Sequence, residues 1–304
     1  MGPTTTGKTC LAVELVQRLP LDIVSVDSAM VYRGMDIGTA KPSADILKIA
    51  PHRLIDICDP AESYSAARFC HDALVEIERI HAAGRIPLLV GGTGLYFRAL
   101  EKGLSNLPPA DSEIRQRLAA EAISLGWETM HARLAKVDPE AAGRIHPNDP
   151  QRIQRALEIY ELTGKPVSVH YGMGSSIPLP YNVIKTIINP VERLVLHERI
   201  RQRFLKMLDQ GMVDEVRNLY QRHDLYASLP AMRIVGYRQV WRYLDGQLDY
   251  NTMTEHAIVA TRQLAKRQLT WLRREQGAEW FASQNVAIPA NLLNYLADKI
   301  TLGE

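Results

Sequence analysis

Gly2-Pro3-Thr4-Thr5-Thr6-Gly7-Lys8-Thr9 sets two glycines, a lysine and a hydroxyl at the spacing G-x-x-x-x-G-K-[ST]. Such a segment grips diphosphate or nucleotide phosphates: the glycines let successive backbone N–H groups converge, Lys8 adds a compact positive charge, and Thr9 offers a hydroxyl to Mg²⁺. The elements that must hold it are a strand before and a helix after. Leu11, Ala12, Leu15, Val16 and Leu19 recur at helical spacing and place the loop at a helix N-terminus, where the dipole favours anions. Only Met1 precedes Gly2, so an apolar strand encoded upstream of this start is expected.

Two further positions carry chemistry. Ile23-Val24-Ser25-Val26 reads as a strand that delivers Asp27-Ser28 at its carboxyl end, and Ile86-Pro87-Leu88-Leu89-Val90 as a second that delivers Gly91-Gly92-Thr93. In a parallel sheet both ends face the ligand side, beside the phosphate loop. Asp27 there could accept a proton or hold a metal through water, although a turn aspartate reads the same way. Thr93 could present its hydroxyl to a second polar group, and the glycines around it also suit an ordinary strand-to-helix turn. The second strand ends without the acidic residue that hydrolytic phosphate-loop enzymes use for Mg²⁺. Arg233, just after Pro230, could clamp phosphate oxygens in two-pronged fashion, and a surface arginine is the plainer alternative.

Strands alternating with a helix near 64–83 give βαβ logic, so the expected fold is α/β with a P-loop NTPase-like parallel-sheet core. From Pro108-Pro109 the pattern turns helical. Asp111 or Ser112 caps one helix, and Asp149-Pro150 opens another with Ile153, Ala156, Leu157 and Tyr160 on one face. A Gly/Ser/Pro stretch at 172–180 precedes a strand at 183–188, and helices are expected near 190–222 and 253–275. The organisation expected is a core over 1–107, a helical insertion over 108–180 that binds nucleic acid, and a mostly helical, basic remainder of the core over 181–304.

The chain has 304 residues, 46% of them hydrophobic, and a net charge of +2. That charge is uneven: residues 190–275 carry 15 basic and 10 acidic groups, the signature of a nucleic-acid footprint or of a solvated helical face. Cys10, Cys58 and Cys70 form no C-x-x-C pair and have no histidines at ligand spacing, so neither a disulfide framework nor a zinc site is indicated, and a reducing cytoplasm fits. No apolar run approaches the roughly 20 residues of a membrane span, and no leader pattern opens the chain.

The loop, the segment Val26-Asp-Ser-Ala-Met-Val-Tyr-Arg-Gly-Met-Asp-Ile-Gly-Thr-Ala-Lys-Pro42, and Gly91-Gly-Thr-Gly-Leu-Tyr96 together resemble the tRNA dimethylallyltransferases, the bacterial tRNA isopentenyltransferases. So do His146-Pro-Asn-Asp-Pro-Gln-Arg-Ile-Gln-Arg155, Val235-Gly-Tyr-Arg-Gln239 and the stretch from Thr261 to Arg273. The resemblance implies transfer of a dimethylallyl group from dimethylallyl diphosphate to the N6 amine of the adenosine 3′-adjacent to the anticodon, with diphosphate released and Mg²⁺ required. It implies catalytic roles for Asp27, Thr93 and Arg233. It also implies contacts with the anticodon stem-loop of tRNA from Asp27, Ser28, Ala29, Met30, Thr93, Arg115, Gln151, Arg152, Ile153, Gln154, Arg155, Arg233, Ile234, Val235, Gly236, Tyr237 and Arg238. A cytoplasmic monomer is expected. The rival readings are a prenyltransferase acting on a free adenine nucleotide, a phosphate-loop kinase or NTPase, and a non-catalytic tRNA-binding protein.

Overall fold

In chain order, the computed structural model contains Lys8–Arg18 (α1), Leu21–Val26 (β1), Ala44–Ile49 (α2), His52–Arg53 (β2), Ala66–Ala82 (α3), Ile86–Gly91 (β3), Gly94–Lys102 (α4), Ser112–Leu125 (α5), Trp127–Val137 (α6) and Pro139–Arg144 (α7). There follow Pro150–Thr163 (α8), Val167–Gly172 (α9), Lys185–Pro190 (β4), Arg193–Asp209 (α10), Met212–Tyr220 (α11), Tyr237–Leu244 (α12), Tyr250–Leu272 (α13), Ala278–Ser283 (β5) and Ala290–Thr301 (α14). The structure describes residues 1–105, 107–172, 179–190, 192–283 and 290–301. Most of the Gly/Ser/Pro stretch expected as a loop at 172–180 lies outside them.

The chain divides into two compact units, Met1–Ala99 with Tyr181–Glu304, and Leu100–Pro180. The first is mixed α/β. Its larger sheet has the order β2-β1-β3, all parallel, with Ile23 opposite both His52 and Leu88 and Val26 opposite Gly91. Because β1 is the central strand, Ile23, Val24 and Val26 are buried and read as an almost continuous apolar run. The pairing of Val26 with Gly91 brings the two strand ends level, so Asp27 and Gly92 leave the sheet side by side. A second parallel pair, β4-β5, sets Ile187 opposite Trp280. Met1 lies along β4: its amino group donates to the Thr186 carbonyl at 2.8 Å and its own carbonyl accepts from Ile188 N–H at 2.8 Å. The residue leading into the phosphate loop thus has the hydrogen bonding of a parallel strand. Apolar side chains of α1, β1, β4, β5 and α14 close the core around Leu15, Leu21, Ile188, Phe281 and Leu292.

The second unit is helical. Its core is Leu118, Met130, Leu134, Ile153, Leu157 and Ile159, contributed by α5, α6 and α8 at helical spacing. Asp111 caps α5 by accepting from Ile114 N–H at 2.9 Å, and Asp149 caps α8 from Arg152 N–H at 3.2 Å with Pro150 as first helical residue. The helical stretch read at 190–222 is two helices, α10 and α11, parted at Gln210 and Gly211; Gly211 takes a φ of 95°. β5 and α14, which carry no clear sequence pattern, complete the second sheet and its cover.

Candidate active site

The phosphate loop folds back on itself at the start of α1. Gly7 takes φ 77° and hands the chain to Lys8, the first helical residue, while Thr5 holds φ 65°, a left-handed conformation uncommon for threonine. The Pro3 carbonyl ties the turn, accepting from Thr6 Oγ1 at 2.9 Å and from Lys8 Nζ at 2.5 Å. Lys8 therefore points back into the concavity of its own loop. Burial lowers its pKa to about 8; the nearby Asp27 carboxylate opposes that fall and the Arg203 guanidinium adds to it.

Two helices and the end of β5 brace this loop. Gln268 of α13 bridges the loop to the end of β3: its Oε1 accepts from Thr4 N–H at 2.9 Å and its Nε2 donates to the Gly92 carbonyl at 3.0 Å. A side chain at Gly92 would lie 2.5 Å from that amide and 3.0 Å from the Gly2 carbonyl, so glycine alone permits the bridge. From α10, Arg203 Nη1 donates to Thr4 Oγ1 at 3.3 Å and Nη2 to the Thr39 carbonyl at 3.4 Å. Ser283 Oγ, at the end of β5, donates to the Thr6 carbonyl at 3.2 Å and accepts from Arg199 at 3.1 Å.

Asp27 follows β1. Its Oδ1 accepts from Ala29 N–H at 2.8 Å and Met30 N–H at 3.4 Å, the turn role that its sequence also allowed. The other oxygen has no hydrogen bond among the described residues, and its field reaches both Lys8 and Arg203. Thr93 Oγ1 accepts from Ser28 N–H at 3.1 Å and donates to Ser28 Oγ at 3.4 Å, tying the end of β3 to the end of β1. Loop, Asp27 and Thr93 thus sit around one point, as the parallel-sheet rule requires.

Among the described residues, Arg203 is an arginine hydrogen-bonded directly to the loop. Arg233 is exposed on the turn before α12. Sequence reading missed Arg203 because it is one of several arginines on a basic helix; its register at one turn from Ile200 and Met207, both buried, is the available signal. Gln268 was equally hidden inside a run of basic residues.

The remaining expected tRNA contacts divide by burial. Arg152 is exposed and pairs with Asp149 at 3.4 Å. Arg115 and Arg155 both hold the fully buried Glu158, at 2.9 and 2.8 Å, while Asp111 N–H donates to it at 2.7 Å. Gln154 donates to the Arg115 carbonyl at 2.8 Å. At two of the expected positions the side chain turns inward. Ile153 has a fully buried side chain in the helical core, and Tyr237 is fully buried at the start of α12, so neither side chain offers a contact surface. Their faces of α8 and α12 turn inward, while Arg152 and Arg238 one residue away are exposed.

The donors available to a metal are hard oxygens. Thr9 lies in the first turn of α1, half-buried, and Asp27 offers its second carboxylate oxygen. So sparse a set suits Mg²⁺, which retains waters and takes ligands from substrate phosphates, and does not suit a cation that needs a full protein cage.

Comparison with known proteins adds the lineage. A family model described as IPP transferase matches residues 30–275. The chain belongs to the IPP transferase family. A tRNA dimethylallyltransferase from Thioalkalivibrio sulfidiphilus is 63% identical over 279 residues, covering 92% of this chain and 87% of that protein. One from Coxiella burnetii is 54% identical over 296 residues, covering 97% and 98%. Among solved structures, the full-length tRNA isopentenylpyrophosphate transferase of Bacillus halodurans superposes with a TM-score of 0.72 at 39% identity, over 99% of this chain and 95% of that one. A eukaryotic dimethylallyltransferase acting on tRNA gives a TM-score of 0.79 at 25% identity, over all of this chain and 78% of that one. As an IPP transferase family member the chain therefore shares its mixed α/β fold with enzymes that modify tRNA.

Proposed function

We propose that the protein transfers a dimethylallyl group from dimethylallyl diphosphate to the N6 amine of the adenosine 3′-adjacent to the anticodon in tRNA. The observation that carries this reading is the placement of two cations, Lys8 and Arg203, on the phosphate loop within the field of the Asp27 carboxylate. A diphosphate leaving group needs the first pair, and a weakly nucleophilic aromatic amine needs the second partner.

In this reaction the amine nitrogen attacks the allylic carbon of the donor, the carbon–oxygen bond to diphosphate breaks, and one amine proton departs. The loop amides, Lys8 and Arg203 take up the charge that grows on the leaving diphosphate. Asp27 receives the proton on the oxygen that its turn leaves unused, while the other keeps the turn closed. Thr93 and Ser28, fixed to one another, line the side from which the base arrives. Thr9 would hold Mg²⁺, which supplies further neutralisation of the diphosphate when bound. The charge-clamping role expected of Arg233 falls to Arg203 in this scheme. Arg233 and Arg238, exposed, suit phosphate contacts.

The core is read as a P-loop NTPase-like sheet put to use without hydrolysis. tRNA is preferred over a free adenine nucleotide as acceptor because a groove of about 500 Å³ along α13 presents Lys266, Arg267 and Arg274 beside Trp271, which a small acceptor would not require. Relatives of this chain are named for tRNA as well. Three free cysteines, and no helix among the described residues long and apolar enough to cross a membrane, accord with a cytoplasmic enzyme. The deciding experiment is mass analysis of tRNA after incubation with dimethylallyl diphosphate and Mg²⁺, beside AMP as acceptor. A mass gain on the adenosine following the anticodon is expected; prenylated AMP with unmodified tRNA would overturn the assignment.

A further inference from the structure

Glu215 of α11 lies outside the phosphate loop and the other sequence motifs, yet four donors converge on its carboxylate. Oε2 accepts from Asp36 N–H at 2.8 Å and Ile37 N–H at 2.7 Å; Oε1 accepts from Gly38 N–H at 3.1 Å and from the Tyr237 hydroxyl at 2.6 Å. Three successive backbone amides pointing at one anion form a nest of the kind that usually binds a free anion. Here the protein fills it with its own side chain. The fourth donor comes from the first residue of α12, in the segment between the exposed arginines Arg233 and Arg238.

The fit around this carboxylate is close. A side chain at Gly38 would lie 2.5 Å from the Tyr237 ring and 2.9 Å from the Met212 methyl, so the loop can reach the tyrosine only as glycine. Burial, with the adjacent Glu215 carboxylate, pushes the Tyr237 hydroxyl far above the usual tyrosine range, so it is a fixed donor. From the other side Lys41 ties the same loop, donating to the Tyr32 carbonyl at 2.5 Å and Asp36 Oδ1 at 2.7 Å, and pairing with Asp56. The loop so held is the continuation of the turn that Asp27 closes on residues 29 and 30.

We propose that Glu215 is a positioning residue for the acceptor side of the site, joining the loop that follows Asp27 to the α12 segment through Tyr237. The inference rests on the reaction proposed above. Four donors need a carboxylate: glutamine has one accepting oxygen, and its amide hydrogens would face N–H groups. Glu215→Gln keeps the volume and leaves donors unpaired, so the loop loses its register while the phosphate loop, braced by Gln268 and Arg203, keeps its own.

The test is Glu215→Gln read three ways: amide hydrogen exchange at residues 36–38, steady-state kinetics with tRNA, and binding of inorganic diphosphate. Faster exchange at those amides is expected, with kcat/KM for tRNA reduced by up to about 100-fold, the cost of misplacing a reacting group by an ångström. Diphosphate affinity should stay within twofold of wild type. Wild-type exchange, or wild-type tRNA kinetics, would overturn the inference. So would an equal loss of diphosphate affinity, which would mark a general structural role. Should Glu215→Gln not fold, Tyr237→Phe removes one of the four bonds, and a smaller loss confined to the tRNA parameters is expected; no loss there is a refutation. If the wild-type protein itself leaves tRNA unmodified, the functional reading fails, and exchange at residues 36–38 still decides whether Glu215 holds the loop.

Discussion

Arg203 and Thr4 are 199 residues apart and joined by a hydrogen bond of 3.3 Å. Through it α10 reaches into the phosphate loop and brings a guanidinium to the place where a diphosphate would lie. Burial lowers the pKa of that guanidinium, opposed by the field of Asp27. Removing it should reduce affinity for the donor more than it harms the fold. Arg203→Met is expected to weaken inorganic diphosphate binding by about 10- to 100-fold, the worth of one charge-assisted contact. Its thermal midpoint without ligand should fall only slightly, because the bonds lost, to Thr4 Oγ1 and the Thr39 carbonyl, are long ones of 3.3 and 3.4 Å. Calorimetric titration beside thermal melting checks both, and Arg233→Met in the same titration should change little.

Asp27 has two oxygens with two tasks, and one substitution separates them. Asp27→Asn keeps an acceptor for Ala29 N–H and Met30 N–H but cannot take a proton. Turnover should fall by about 10²- to 10⁴-fold, the usual span for a lost general base, with tRNA affinity within a few fold of wild type. Single-turnover rates at saturating tRNA read this directly. Near-normal rates would show that the carboxylate only closes its turn.

Lys8 ties donor affinity to pH. With its pKa lowered to about 8, it is charged below that value and loses its proton above it, so diphosphate affinity in the free enzyme should decline from pH 8 upward. Stability moves oppositely. Unfolded, Lys8 regains the ordinary value of 10.5, so between about 8 and 10.5 the unfolded chain binds more protons and the Lys8 contribution to stability rises with pH. Diphosphate titrations and thermal midpoints from pH 7 to 10 should therefore slope in opposite directions, and Lys8→Met should flatten both trends.

Arg152 and Arg155 are neighbours in the α8 sequence with different duties. Arg155 holds the buried Glu158 and donates to the Pro108 carbonyl at 2.6 Å, so Arg155→Ala should destabilise the helical unit by about 1–3 kcal/mol. Arg152 is exposed, and its pairing with Asp149 is worth less than about 1 kcal/mol. A tRNA phosphate contact from Arg152 should appear as a shallower salt dependence of binding in Arg152→Ala, by about one in the logarithmic slope, without loss of stability. Binding isotherms at several salt concentrations, beside melting curves, separate the two effects.

Local chemistry made much of this protein readable from sequence. The loop spacing named a phosphate seat, the short apolar runs placed β1 and β3, and Asp27 and Thr93 followed at their ends. The caps at Asp111 and Asp149 were visible because capping depends on a residue and the three that follow it. Even the alternative role of Asp27 as a turn residue was legible, and the structure shows it in use.

What the sequence left undecided required distant segments to meet. Arg203, Gln268 and Glu215 each sit on a helix whose pattern reports only which face is apolar, and a polar side chain on such a face announces no partner. Which of several arginines reaches the loop depends on where α10 packs, and that is fixed by Ile200, Phe204 and Met207 burying themselves. Likewise Ile153 and Tyr237 fall inside segments that resemble tRNA contacts, yet their apolar surfaces bury themselves while neighbouring arginines stay in water. Residue types and short spacings fixed the chemistry available; burial, a property of the whole folded chain, decided which side chains deliver it.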